Sequence, residues 1–305
     1  ITSLMTVESY AQSARLAKVK GSFPGWSDAS CAHVPPGKTV KADNIKSMQG
    51  VIGAHWAAAE KIPDDFARIK VAALESWREA VELSGPRANE RQYGYRNAQV
   101  TVLAPTGTIS FMMDCDTTGV EPDIALVKYK LLAGEGDGML KIVNQTVERA
   151  LGTLGYSPMV VERVIGHIRD YDTIEDVTEG GTVRTSGLKT EHLPVFDCSF
   201  KPANGQRSIA YMAHLRMMAA VQPFISGAIS KTVNMPNAAT VEDVKQAYIQ
   251  AWRMGLKCVA IYRDGSKRSQ PVSTKRNGGS SGKDDLAALA MAAKEISELR
   301  AALSK

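Results

Sequence analysis

The stretch Ala98 to Ser110, AQVTVLAPTGTIS, decides how the rest of the chain is read. From Gln99 to Ala104 it reads as a short buried strand. Val100, Val102 and Leu103 are apolar, Thr101 and the valines are β-branched, and no charge interrupts them. Pro105-Thr106-Gly107-Thr108 follows, then a second apolar run from Ile109 to Met113. A strand that stops at Pro105 and turns through Gly107 leaves backbone N–H groups without partners in the chain. If a helix follows, those donors lie at its positive end, where a phosphate is well held. Thr106, Thr108 and Ser110 add hydroxyls at the same point. The tetrapeptide equally fits an ordinary strand-to-helix turn with a threonine N-cap, and spacing alone does not choose. No GxxxxGK[ST] loop is present.

Working outward, the 305 residues allow one large domain or two ordinary ones, and 44% apolar residues are enough for a sizeable core. No run of 18 apolar residues suggests a membrane span. The sequence starts at Ile1 without a charged-then-apolar leader, and so reads as a piece of something longer. From Arg263 onward there are nine Lys/Arg against five Asp/Glu, which leaves 28 against 27 before it. Most of the net charge of +5 therefore belongs to the tail. A near-neutral body with no basic stripe argues against nucleic-acid binding. Cys31, Cys115, Cys198 and Cys258 are far apart with no CxxC or Cys/His spacing, which argues against a zinc site or disulfide scaffold and fits a reducing cytoplasm. Lone cysteines are mostly small buried apolar residues. His33, His55, His167 and His214 have no partner at metal spacing and read as packed or surface histidines, so no metal site is expected.

Helical periodicity predicts helices over Ile1 to Lys18, Ile45 to Lys61, Asp64 to Leu83, Met139 to Leu154, Pro158 to Tyr171 and Gln206 to Val221. Thr240-Val241-Glu242-Asp243 resembles a capping box and opens a further helix to Met254. Leu193 to Phe200, Phe224 to Met235 and Lys257 to Tyr262 have strand character, and Lys231 is an oddity in the second of these. Ala125 to Leu132 fits a strand or a helix start. Ser27 to Lys46 and Thr173 to Lys189 read as loops. Helices alternating with short buried strands make the class α/β. Asp114 to Asp123 holds four carboxylates and Cys115. It is either a solvated acidic loop with Asx turns or a loop that positions substrate or packs beneath the site. Three segments follow: a body over 1–265, a basic Gly/Ser-rich linker over 266–283, and an Ala/Leu-rich amphipathic helix over 284–305. That helix has two open fates, docking on the body or a short coiled coil that would make a homodimer.

Four stretches read together form one pattern: RNAQVTVLAPTGTISFMMDCDTTGVEPDIALVKYKLLAG from Arg96, HLPVFDCSFKPANG from His192, HLRMMAAVQPFISGAISKTVNMP from His214 and GLKCVAIYRDGSKRSQP from Gly255. The pattern closely resembles the C-terminal half of class II, adenosylcobalamin-dependent ribonucleotide reductases, in order from about Ile1 to Pro271. The resemblance implies the C-terminal part of a ten-stranded α/β barrel around a radical-bearing finger loop. It implies a ribonucleoside-diphosphate reductase, with the choice between diphosphate and triphosphate open. In that family a deoxyadenosyl radical generates a cysteine thiyl, which takes the substrate 3′-hydrogen; the 2′-hydroxyl leaves as water and two further cysteines supply electrons.

The resemblance also implies that Pro105, Thr106, Gly107, Thr108, Ile109 and Ser110 bind substrate phosphates. Tyr262 and Arg263 are candidates to line the adenosyl or base pocket, against an ordinary tyrosine with its ring in the core. The family's Asn-Pro-Cys-x-Glu motif and its C-terminal CxxC are absent from the 305 residues. No catalytic residue is therefore expected in this chain, and Cys115 and Cys198 match family cysteines taken as structural. The expected partners are a ribonucleoside di- or triphosphate, an N-terminal half carrying the finger loop, and a thiol reductant, with no membrane and no nucleic acid. A different class of reading is a non-catalytic interaction or regulatory module derived from the barrel.

Overall fold

A computed structural model of the chain describes residues 1–24, 26, 48–84, 94–131, 139–266 and 272–273. These divide into two compact units. The first comprises Ile1–Gly107, Tyr211–Val233 and Thr240–Ile261, and the second Thr108–Ala210, Asn234–Ala239 and Tyr262–Lys305.

The first unit is built on α1 (Thr2–Lys20), α2 (Met48–Glu60) and α3 (Ala67–Ser84). Val7, Tyr10, Ala11, Ala14 and Ala17 recur at helical spacing along α1 and are fully buried. The small alanines let α3 come close, with Ala73, Trp77 and Ala80 against them. Tyr10 fills the centre, 5.8 Å from the Trp77 ring and edge-on to Tyr95 at 5.5 Å. Predicted and observed boundaries of these helices agree to within a turn. Gly21, in the left-handed region at φ 77°, ends α1, and a 3₁₀ turn at Asp64–Phe66 precedes α3. This unit also holds α7 (Tyr211–Val221) and α8 (Val241–Arg253). The capping box is formed: Asp243 N–H donates to Thr240 Oγ1 at 3.2 Å and Thr240 N–H to Asp243 Oδ2 at 2.8 Å.

The second unit packs β1 (Val127–Leu131) and β2 (Met139–Val143) against α5 (Thr146–Thr153) and α6 (Pro158–Tyr171). Val127, Tyr129, Val147, Leu151, Val164 and Ile168 make its core. β1 and β2 are antiparallel, with Tyr129 opposite Lys141. Val272–Ser273, within the stretch read as a linker, forms β7 on the other edge of β1. β5 (Thr232–Met235) and β6 (Ala260–Arg263) pair separately. The strands among the described residues thus form sheets of three, two and two, with no closed barrel, and the ten-stranded count is not reproduced among them. The 284–305 helix and the Ser27 to Lys46 loop lie outside the described residues. No helix among the described residues is long and apolar enough to cross a membrane.

Several expectations are corrected. Met139–Val143 is a strand, not the start of a helix. MLKIV satisfies either period, but Asn144 Oδ1 accepts the Thr146 N–H at 2.9 Å and the Thr146 hydroxyl at 2.7 Å, so α5 starts only at Thr146. Thr173 to Lys189 is not a plain loop. It contains a hairpin, β3 (Val177–Glu179) with β4 (Thr182–Arg184), joined by Gly180 and Gly181 at φ 55° and 79°. Leu193 to Phe200 is not the expected strand: its first four residues lie in a 3₁₀ turn, Thr190–Phe196, because Pro194 lacks the N–H a ladder needs. α7 begins at Tyr211, not Gln206: the Gln206 and Arg207 amides donate to Glu175 Oε1 at 2.8 and 3.0 Å instead of to helix carbonyls. Phe224 to Met235 is regular strand only from Thr232, since Gln222–Phe224 is a 3₁₀ turn.

Candidate phosphate-binding turn

The approach to the turn is anchored by hydroxyls. The Ser226 hydroxyl donates to the Thr101 carbonyl at 3.1 Å and accepts the Val100 and Thr101 amides at 3.1 and 3.0 Å. Thr101 Oγ1 lies 2.9 Å from Thr6 Oγ1 of α1. Gly227 N–H donates to the Thr101 carbonyl at 2.8 Å, and Leu103 pairs in parallel with Ile229. The stretch read as a buried strand is therefore extended and bonded on one edge, but covered on one side alone: Thr101 is buried, whereas Val102 is 60% exposed. A Cβ on Gly227 would stand 2.7 Å from the Thr101 carbonyl oxygen, so the residue must be glycine for the two backbones to approach.

At the end of that segment Pro105 is exposed and Thr106 is half-buried in the left-handed region at φ 50°, where a β-branched residue is rare. Gly107 opens α4 (Gly107–Met112), and a Cβ there would meet nothing within 4 Å. The division between the units falls directly after Gly107. Beyond it Thr108 and Ile109 are exposed and Ser110 is buried, its carbonyl accepting the Cys115 amide at 3.0 Å. The strand expected over Gln99 to Ala104 is reduced to the single bridge at Leu103, while the turn and a six-residue helix, α4, follow in the expected order. Tyr262 packs edge-on to Phe200 at 6.0 Å, and Arg263 Nε donates to the Ala239 carbonyl at 3.1 Å.

The acidic loop is tied down. Asp123 accepts from Lys128 Nζ at 2.9 and 3.1 Å, from Asn144 Nδ2 at 2.7 Å and from the Ile124 amide at 2.7 Å. Of the two readings of this loop, packing describes Asp123. Cys198 is buried near it, and burial, with Asp123 adding to it, pushes the thiol up to about 12. It is no nucleophile at neutral pH. Cys115 and Cys258 are exposed, against the expectation for lone cysteines, and Cys31 is outside the described residues. His55 is packed: its ring stacks on Trp77 at 6.0 Å and its Nδ1 is 2.6 Å from the Pro223 carbonyl. His33 lies outside the described residues. Among the described residues no three His, Cys, Asp or Glu side chains cluster to hold a metal ion.

A polar pair that residue patterns did not single out as such lies behind the sheet. Lys231, 3% exposed, brings Nζ to 2.6 Å from His214 Nδ1 and donates to the Thr232 carbonyl at 2.9 Å. Burial, with Lys231 adding to it, lowers the His214 pKa to about 4 and keeps the ring neutral. Its sequence signal was a lysine inside an apolar strand.

The family model of the ribonucleotide reductase barrel domain matches residues 1–262. The chain belongs to the ribonucleotide reductase family. It is 51% identical over 276 residues to a vitamin B12-dependent ribonucleotide reductase of Rhodopirellula baltica, covering 90% of this chain and 24% of that protein. It is 47% identical over 276 residues to the protein of that name from Streptantibioticus cattleyicolor, covering 90% and 41%. A vitamin B12-dependent ribonucleoside-diphosphate reductase of Mycobacterium tuberculosis is 36% identical over 191 residues, covering 63% and 23%. The chain thus spans less than half the length of these relatives. The class Id ribonucleotide reductase alpha subunit of Actinobacillus ureae aligns with a TM-score of 0.41 and 19% identity, over 72% of this chain and 35% of its own.

Proposed function

We propose that this chain is the C-terminal portion, as a split subunit or a fragment, of an adenosylcobalamin-dependent ribonucleotide reductase that makes deoxyribonucleotides for DNA synthesis. Its part in that enzyme is to hold the substrate's phosphates at Pro105, Thr106, Gly107, Thr108, Ile109 and Ser110. The open space over Gly107 carries this reading. At that point the backbone carries no side chain, so an anionic oxygen can come up to the amides of the turn. Pro105 follows the bridge at Leu103, and the left-handed Thr106 turns the chain into α4. Tyr262 and Arg263 enter the same proposal as pocket-lining residues, supported by a half-buried ring and an exposed guanidinium.

Cobalamin supplies radical generation in such an enzyme. A pocket lined by Ile174, Phe196, Cys198 and Arg207 has room for about one water molecule, and a corrin does not fit it. We assign the thiyl cysteine and the redox cysteines to an N-terminal half carrying Asn-Pro-Cys-x-Glu, adenosylcobalamin to the complete enzyme, and the electrons to a thiol reductant. Purified chain mixed with adenosylcobalamin, ribonucleotide and dithiol is expected to give no deoxynucleotide. Adding the N-terminal half is expected to restore turnover, and Gly107→Val in that assembly to raise KM at least ten-fold. Turnover by the chain alone, or a Gly107→Val assembly with an unchanged KM, would overturn the proposal.

A further inference from the structure

Five successive carbonyls, from Pro223 to Gly227, are each held by a side chain. His55 Nδ1 lies 2.6 Å from the Pro223 carbonyl, which can only accept, so this nitrogen carries the proton. The Thr6 hydroxyl donates to the Phe224 carbonyl, and Gln222 Nε2 to that of Ile225 at 3.4 Å. Lys257 Nζ donates to the Ser226 carbonyl at 2.7 Å and to the Gly227 carbonyl at 3.1 Å, and Gln222 Nε2 reaches the latter at 3.2 Å. Ile225, Ser226 and Gly227 are buried outside any regular element, so their carbonyls need such donors.

The segment that leads to the turn hangs on this loop and its continuation. The Ser226 hydroxyl takes the Val100 and Thr101 amides, and the Thr101 carbonyl accepts from that hydroxyl and from the Gly227 amide. The Ser226 amide donates to Thr101 Oγ1 at 3.2 Å. Two residues on, Leu103 donates to the Ala228 carbonyl and accepts the Ser230 amide. All of these groups belong to the first unit.

We propose that Lys257 is a positioning residue for the phosphate turn: by drawing the Ser226 and Gly227 carbonyls onto one ammonium, it fixes the loop that sets the course of Val100 to Leu103 and so the place of Thr106 and Gly107. The proposal rests on the phosphate reading of the turn. Two carbonyl dipoles aimed at one point repel each other unless a cation lies there, and bonds to a charged donor are about twice as strong as neutral ones. Burial keeps His55 neutral, which leaves Lys257 the charged donor of the set. Lys257 is also an exposed residue, so removing its charge opens no cavity in the core. An effect on the turn is thereby separable from an effect on stability.

The test has two readouts. In the purified chain, Lys257→Met is expected to speed amide exchange at Thr101 and Leu103 at least five-fold and to leave the amides of α3 unchanged. In the reductase assembled with the N-terminal half, the same variant is expected to raise the ribonucleotide KM about three- to ten-fold with kcat within about two-fold, the signature of lost ground-state binding. Lys257→Arg, which keeps a charged donor, is expected to restore both readouts. Wild-type KM in Lys257→Met overturns the proposal even if stability falls, because the lysine then serves the fold alone. Unchanged exchange at Thr101 and Leu103 overturns it as well, and so does a Lys257→Arg variant as impaired as Lys257→Met. Failure of the underlying reading looks different: Gly107→Val then leaves KM untouched while Lys257→Met still speeds exchange, and no phosphate site remains for the lysine to position.

Discussion

Gly227 lies so close to the segment feeding the turn that a single methyl group decides whether the two backbones can touch. Gly227→Ala puts Cβ 2.7 Å from the Thr101 carbonyl oxygen, and that oxygen is held by the Gly227 amide and the Ser226 hydroxyl. It cannot swing aside without breaking them. The substitution is expected to cost about 1–3 kcal/mol, read as a lower urea midpoint with an unchanged slope. His214 makes a second prediction at this scale. In the unfolded chain its imidazole titrates near 6.5, whereas in the folded chain it does so at about 4. Between those values the unfolded state binds more protons, so stability rises with pH from about 4 to 6.5 and levels off above. The span corresponds to about 3 kcal/mol for this group. His55, also lowered by burial, adds to the same trend. Urea midpoints measured from pH 4.5 to 7.5 are expected to climb, and His214→Gln to flatten the climb. An unchanged slope in the variant would remove His214 as its source. Neither effect was legible from residue types: glycine and histidine acquire these roles from a neighbour more than 15 positions away.

At the scale of elements, the capping box of α8 was readable because all its parts lie within four residues, and local rules suffice for a local motif. Thr240→Ala removes the acceptor for the Asp243 amide while leaving the buried faces at Ala247 and Ala251 intact. Amide exchange in the first turn of α8 is expected to speed up several-fold, with the rest of the helix unchanged. Uniformly faster exchange along the helix would show that the cap supports more than its own turn. The elements that were misread share one cause. Met139–Val143 and Thr190–Phe196 each satisfied the period of one element, but a partner or a proline decided for another. β1 claimed the first through a five-residue register, and Pro194 barred the second from a ladder. The segment before the turn was read as a buried strand, whereas it keeps a single bridge at Leu103 and leaves Val102 exposed, because β-branched residues suit a half-covered edge as well as a buried sheet.

At the scale of the whole molecule, membership of the reductase family rests on a match along nearly the full described body, whereas the chain spans about a quarter to two-fifths of the relatives that carry the named activity. The proposed function divides the labour between this chain and an N-terminal half. Cys198 is buried and held protonated, no metal-holding cluster occurs among the described residues, and the turn at Gly107 stands open. In the assembled enzyme Cys198→Ser is expected to leave turnover within about two-fold, measured as deoxynucleotide formed; a loss of activity with stability retained would place the thiol in the chemistry.

The hairpin of β3 and β4 has a practical use. Its strands are largely exposed and its two-glycine tip, Gly180 and Gly181, meets nothing within 4 Å of either added Cβ. A short epitope or fluorophore-bearing peptide spliced between those glycines would extend from an exposed tip and leave the hydrophobic core of its own unit untouched, giving a handle for following this polypeptide in solution.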